Sequence, residues 1–335
     1  MSSSSLPTFA APTFADVQAA ARRLEGVTLR TPLLENARVN AMLGGQLFIK
    51  AECLQRTGSF KLRGAYNFLA SMSEADRKKG AVGWSSGNHA QGLAEAGRLL
   101  GVKTTIVMPA DAPALKIANT RASGAEIVLH DRVKDSREEI GLGIAKKTGA
   151  TVVPPYDHAW ILTGQGTAGL EIVEQAKAAG VTLDAVAAPC SGGGLSTGIA
   201  LAVKGLSPTT TVHAGEPAGF DDLARSLSAG SKQTNAKLSG SICDALLAPT
   251  PGDVTFPLAL KLLGPGLVVT DDEVLDAMEV AFREFKIVVE PGGAVALAAA
   301  LTGKLPVKGR AVAVVCSGGN VDHATFARAL ARRPQ

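Results

Sequence analysis

Short apolar runs without polar interruption alternate along this chain with longer segments of helical period, and that alternation leaves few folds open. Ala311-Val312-Ala313-Val314-Val315 is the clearest run. A strand that is apolar on both faces must be covered on both faces, which is the condition of a parallel sheet built from βα units. Such runs predict strands over residues 46–52, 81–85, 103–108, 126–129, 183–189, 211–214, 266–269 and 310–315. Helical periodicity falls between them, over 87–100, 135–148, 164–179, 271–285 and 294–301. An α/β fold with mostly parallel sheets is expected.

With 335 residues, 46% of them hydrophobic and 19% charged, the chain can build one large or two ordinary globular domains. Its apolar runs are too short to span a membrane, and Met1-Ser2-Ser3-Ser4-Ser5 lacks the basic and apolar regions of a secretory signal. A soluble cytoplasmic protein is therefore expected. The net charge of +4 is spread along the chain and aromatics make up only 4%, which gives nucleic-acid binding no support. Cys53, Cys190, Cys243 and Cys316 lie far apart without metal-ligand spacing, as expected of buried free thiols. Neither a linker nor a repeat marks a boundary. The compact set of βα units places a small inserted domain at residues 76–157, between parts of a larger domain at 1–75 and 158–335.

Five glycine- or serine-rich segments punctuate the strand ends. They are Thr57-Gly58-Ser59-Phe60-Lys61-Leu62-Arg63-Gly64-Ala65, Ser85-Ser86-Gly87-Asn88-His89, Ser191-Gly192-Gly193-Gly194-Leu195, Glu290-Pro291-Gly292-Gly293-Ala294 and Cys316-Ser317-Gly318-Gly319-Asn320. Ligands in open α/β folds bind at the carboxyl ends of strands and between domains, so the five segments are expected to share one pocket. A lone lysine in a first helical turn is usually solvated; Lys61, between an aromatic and a glycine-rich helix, is a candidate amine nucleophile because of this company. The triple glycine opens a helix, where bare amide groups and the dipole suit a phosphate, although tight turns also use glycine. It matches neither a Walker loop nor GxGxxG. The turn at Ser85 suits a small carboxylate, with a plain Ser or Asn helix cap as the alternative.

In this order, a lysine after Ser-Phe, an SSGNHAQ turn, a triple-glycine loop and a terminal SGGN turn resemble the fold-type II pyridoxal-phosphate enzymes. The nearest likeness is the threonine/serine dehydratase and serine racemase family, with its tryptophan-synthase-β-like fold, and it runs from about Pro32 to Asp322. The resemblance implies that Lys61 holds pyridoxal 5′-phosphate as a Schiff base and later takes the Cα proton. It implies that Phe60 packs on the pyridine ring, that Asn88 bonds its 3′ oxygen and that Gly192, Gly193, Gly194 and Leu195 hold its phosphate. Ser317 would meet the ring nitrogen. Ser85, Ser86, Gly87, Asn88 and His89 would take the substrate carboxylate. The activity implied is conversion of a β-hydroxy amino acid, with L-threonine or L-serine leading, to a 2-oxo acid and ammonia. Serine racemisation and 3-hydroxyaspartate dehydration are the alternatives.

Ser86 matches the second base of racemases, yet many dehydratases carry it too. Arg137 matches an arginine that reaches the substrate pocket in serine racemases and hydroxyaspartate dehydratases; an exposed helix arginine paired with nearby acids is the competing reading. Glu216-Pro217-Ala218-Gly219-Phe220-Asp221-Asp222 resembles the family's metal loop, in which Glu216, Asp222 and the Phe220 carbonyl would ligate magnesium, calcium or manganese. Otherwise Asp221 and Asp222 cap the next helix. Tyr156-Asp157-His158 departs from the Phe-Asp-Asp common in dehydratases. The chain ends soon after Asp322, so a short catabolic-type enzyme without a regulatory domain is expected, and homodimers are common in the family.

Overall fold

A computed structural model of the chain describes residues 11–85, 87–112, 114–131 and 133–332. Its strands are β1 (Leu33–Glu35), β2 (Gln46–Lys50), β3 (Ala81–Trp84), β4 (Thr104–Pro109), β5 (Glu126–His130), β6 (Thr151–Val152), β7 (Ala185–Pro189), β8 (Thr211–Pro217), β9 (Leu267–Val269) and β10 (Ala311–Val315). The helices are α1 (Phe14–Leu24), α2 (Ala37–Leu43), α3 (Lys61–Ser71), α4 (Glu74–Lys79), α5 (Asn88–Leu100), α6 (Ala114–Ala122) and α7 (Arg137–Thr148), followed by α8 (Ala159–Ala178), α9 (Gly194–Leu206), α10 (Asp222–Ala229), α11 (Thr255–Leu262), α12 (Asp271–Phe285), α13 (Pro291–Leu301) and α14 (His323–Leu330).

Two sheets result, one of six strands in the order β1-β2-β10-β7-β8-β9 and one of four in the order β5-β4-β3-β6. Every pairing is parallel except β1 with β2, an antiparallel edge. The alternation of side chains along β10 shows why its sequence is apolar throughout. Val312 and Val314 enter a core shared with α12 and α13, whereas Ala311, Ala313 and Val315 enter a second core against α9 on the opposite face. Each fully buried valine contributes on the order of 1.5–3 kcal/mol. A third core joins Leu62, Phe68 and Leu69 of α3 to Leu93 of α5 and Ile106 and Met108 of β4.

Helix α3 also packs on α8, and its first turn is closely approached by α5. A Cβ on Gly92 would lie 3.1 Å from the Cβ of Lys61, so the glycine permits that approach. The four cysteines are free and buried. Several element limits differ from those expected: β8 continues to Pro217, α8 begins at Ala159 and α13 begins at Pro291. No helix among the described residues is long and apolar enough to cross a membrane.

Candidate active site

Lys61 is the first residue of α3, and the chain reaches it through a strained entry. Thr57 has φ 66° and Gly58 φ 71°, both left-handed, and only the glycine adopts that region without cost. Partners from the turn after β10 fix the entry. Phe60 donates its amide to the Ser317 carbonyl at 3.1 Å, Gly319 donates to Gly58 at 2.9 Å, and the Asn320 side chain donates to the Thr57 carbonyl at 2.8 Å. Asn320 also donates to the Asn88 side-chain oxygen at 2.8 Å, and Asn88 Nδ2 donates to Glu290 Oε1 at 2.5 Å. Glu290 in turn donates its backbone N–H to Gly318 at 2.9 Å. Four of the five segments are thus bonded to one another.

The triple-glycine segment joins the group through Tyr156. The ring of Tyr156 lies where a Cβ on Gly192 would stand, and a Cβ on Gly194 would sit 3.0 Å from the Tyr156 carbonyl. Immediately before it, the Pro155 carbonyl accepts a hydrogen bond from Lys61 Nζ at 2.7 Å. Gly193 has φ 94° and serves as N-cap of α9 without a side-chain cap. First-turn amides of α9, those of Gly194 and Leu195 included, therefore have no carbonyl partner within the helix. Thr255 Oγ1 and the Gly252 amide both bind the Gly192 carbonyl and hold the loop open.

Electrostatics separate the active groups from the structural ones. Burial pulls the Lys61 amine down to about 8, against the upward pull of the Glu290 carboxylate. The Phe60 ring centroid lies 5.2 Å from Nζ. His89 is buried, contacts the Val153 carbonyl at 3.0 Å through Nε2, and is held near 3 by burial and by the charge of Lys61. A neutral imidazole donating to a carbonyl is a structural histidine. Burial and the charges of Asp157, Asp222 and Glu138 push the Tyr156 phenol up to about 12.

Ser85 ends at the carboxyl edge of the small sheet, and its Oγ accepts the Gly87 amide at 3.1 Å. The alternative of a Ser or Asn side-chain cap on α5 is not realised; Gly87 is the N-cap. Ser86 lies outside the described residues. Arg137 begins α7, which packs on β3 and β4, and Gly141 one turn on meets the Trp84 ring next to Ser85. Arg137 is exposed, and among the described residues it forms neither an ion pair nor a hydrogen bond, so the pairing with nearby acids is not seen. It borders a cleft lined also by Pro109, His130, Asp135, Ser136 and Glu138.

In the segment resembling a metal loop, the following helix is capped by a residue other than the two expected aspartates. Glu216 lies on β8 and its two oxygens accept the amides of Leu223 at 3.0 Å and Ala224 at 2.7 Å. It caps α10 in place of Asp221 and Asp222. The Asp222 Oδ1 accepts from Asn235 at 2.6 Å, while its Oδ2 is buried without a partner among the described residues. Phe220 is buried beside them. Burial and mutual repulsion raise Glu216 well above the usual carboxylate range, and burial pushes Asp222 up to about 6. Among the described residues no cluster of three or more His, Cys, Asp or Glu side chains could hold a metal.

His158 has a definite place. Its Nδ1 accepts the Trp160 amide at 3.1 Å as N-cap of α8, and its ring packs 4.7 Å from that of Phe68. Burial lowers it to about 4, so it is a neutral cap. Glu290, Asn320 and Pro155 join the site without having been singled out by any motif; only the first two lie within the glycine-rich segments.

The chemistry open to this arrangement is narrow. An amine that is partly neutral near physiological pH can form a covalent bond to a carbonyl, and the uncapped start of α9, across Tyr156, offers free amides of the kind that suit a phosphate. Pyridoxal phosphate presents an aldehyde and a phosphate together, and the residues fit it. Residues 24–318 match the model of the family described as pyridoxal-phosphate dependent enzymes, and the chain belongs to that family. It is 44% identical over 315 residues to the L-threo-3-hydroxyaspartate ammonia-lyase of a Pseudomonas species, across 94% of this chain and 97% of that one. It is 40% identical over 310 residues to the L-threonine ammonia-lyase of Thermotoga maritima, across 92% of this chain and 76% of the relative. The solved structure of maize serine racemase superposes with a TM-score of 0.89 at 36% identity, covering 96% of this chain and 97% of that one. Within the family, the chain falls among ammonia-lyases and racemases of the threonine deaminase and serine racemase type.

Proposed function

We propose that the protein converts L-threo-3-hydroxyaspartate to its 2-oxo acid and ammonia. The observation that carries the choice of substrate is Arg137: a guanidinium that is exposed and has no acidic partner among the described residues, at the start of the helix that packs on β3 and β4. A second carboxylate on the substrate is the group a free guanidinium recognises, in a bidentate pair. The 44% identity to a hydroxyaspartate ammonia-lyase supports the same substrate, ahead of the threonine or serine that the sequence motifs put first.

Pyridoxal phosphate, when bound, withdraws electrons from the substrate Cα and so acidifies its proton. Lys61 Nζ, neutral in part near pH 8, anchors the cofactor and then accepts the Cα proton. Amides from Gly192 to Leu195 hold the phosphate, and the turn from Ser85 to His89 takes the α-carboxylate. Ser317 offers a neutral hydroxyl to the ring nitrogen and Phe60 covers the ring. The water lost with the β-hydroxyl is returned on hydrolysis, so the products are the 2-oxo acid and ammonia. Glu216 and Asp222, with the Phe220 carbonyl, are proposed to bind a hard divalent cation; the partnerless buried Asp222 Oδ2 supports this.

The test is the Arg137→Ala variant assayed with threo-3-hydroxyaspartate and with threonine. A selective fall in kcat/KM for the dicarboxylic substrate of roughly 10- to 100-fold, equivalent to one lost charge-assisted pair, is expected. An unchanged ratio would return the reading to a threonine or serine ammonia-lyase. Chiral analysis of recovered serine reads racemisation separately, and Ser86→Ala should abolish any that occurs.

A further inference from the structure

Asn88 is held at both ends by partners that leave its amide a single orientation. The Thr57 carbonyl is an acceptor and nothing else, so the Asn320 group 2.8 Å away must be its Nδ2. The same Nδ2 lies 2.8 Å from Asn88, which must therefore turn its oxygen toward Asn320. At the opposite end the Glu290 carboxylate, whose charge is felt by Lys61, accepts from Asn88 Nδ2 at 2.5 Å. An Asn88 turned the other way would set its oxygen against a carboxylate and its N–H groups against the N–H of Asn320. Chemistry fixes the orientation at each contact.

Packing supports the same clamp. Gly318 has no room for a Cβ, because that atom would collide with Glu290 Oε1 and stand 3.2 Å from Asn88 Nδ2. A Cβ on Gly58 would likewise meet the Asn320 side chain. Residues that bracket the hydrogen bonds are thus glycines where a side chain would break them.

We infer that Glu290 and Asn320 are positioning residues: they lock the Asn88 amide so that its second N–H, left over from the bond to Glu290, is the donor offered to the 3′ oxygen of pyridoxal phosphate. The inference rests on the reading that Asn88 faces the cofactor. An asparagine free to rotate would offer that oxygen a carbonyl for part of the time, which repels it. The locked amide offers only a donor.

The experiment is a double-mutant cycle on cofactor affinity, which reads neither substrate nor turnover. Apo-protein of the wild type, Asn88→Ala, Glu290→Ala, Glu290→Gln and the Asn88→Ala/Glu290→Ala pair is titrated with pyridoxal 5′-phosphate, following the visible absorption band. Glu290→Ala is expected to weaken binding about tenfold and to shift the band. Glu290→Gln keeps an acceptor for Asn88 Nδ2 and is expected to stay within about threefold of wild type. In the Asn88→Ala background, Glu290→Ala should change nothing further, because the residue it acts through is gone. Equal losses in both backgrounds, or a Gln variant as weak as the Ala variant, would overturn the inference. An Asn88→Ala protein that binds the cofactor as tightly as wild type would instead remove the premise that Asn88 meets the cofactor, and the inference with it. If the alanine variants do not fold, Glu290→Met, similar in size but without an acceptor, takes their place: it should bind the cofactor about tenfold more weakly than Glu290→Gln, and equal affinities would overturn the inference.

Discussion

Lys61 Nζ lies 2.7 Å from the carbonyl oxygen of Pro155, and burial of the amine there sets when it becomes reactive. Burial costs the charged form more than one carbonyl and the Glu290 charge return, so the amine titrates near 8 instead of 10.5. The neutral form is the nucleophile. The rate at which apo-protein captures pyridoxal phosphate should therefore rise with pH through a midpoint near 8. Between 8 and 10.5 the unfolded chain binds the extra proton, so apo-protein stability should gain from this group over the same window. Stopped-flow absorbance across pH 6–11 checks the rate; a midpoint near 10.5 would mean a solvated lysine.

Arg63, two residues along α3, is fully buried between Glu52 and Glu171, and Lys50 shares Glu171 at 2.5 Å. Two cations and two carboxylates balance. Removing one leaves buried charge without compensation, so Arg63→Leu should cost about 3–5 kcal/mol in urea unfolding of the apo-protein. A cost under about 1 kcal/mol would show that water reaches the cluster.

His158 caps α8 only when neutral. Its folded pKa, about 4, lies below the unfolded value, so its contribution is complete above about 6.5 and is lost as pH falls toward 4. His158→Asn keeps a capping oxygen without a titrating group. Unfolding at pH 5.5 should then take up about one proton fewer than wild type, measured from the slope of stability against pH. An unchanged slope would place the acid sensitivity elsewhere.

At the second pair of carboxylates, Glu216 and Asp222, magnesium or calcium should raise the melting temperature at pH 7, and the rise should vanish in Asp222→Asn. Calorimetry with and without the cation measures both. An equal rise in the variant would locate the cation at another site.

Much of the architecture is legible in the sequence because parallel strands covered on both faces must be apolar throughout, as β10 and β7 are. β1 and β6 escape that logic: three and two residues long, half-exposed, they carry no apolar run. Pro291-Gly292-Gly293 reads as a turn, yet it is the first turn of α13, with proline at N1 and Gly293 where α13 meets the Gly318 backbone. The start of α8 is hidden because histidine is an uncommon cap. The placement of Lys61 and of the triple glycine at the starts of helices is legible since it depends on a few adjacent residues. The bonds from Asn88 to Glu290 and Asn320 span 202 and 232 positions, and spacing in sequence carries no trace of them.

The most direct measurement is ammonia release by the cofactor-loaded protein, compared for L-threo-3-hydroxyaspartate, L-threonine and L-serine under one set of conditions, with Lys61→Ala as control. The highest kcat/KM is expected for the hydroxyaspartate, with equal yields of 2-oxo acid and ammonia and no release from Lys61→Ala. Faster turnover of threonine than of the dicarboxylic substrate would contradict the role given to Arg137, and release that survives loss of Lys61 would contradict the site.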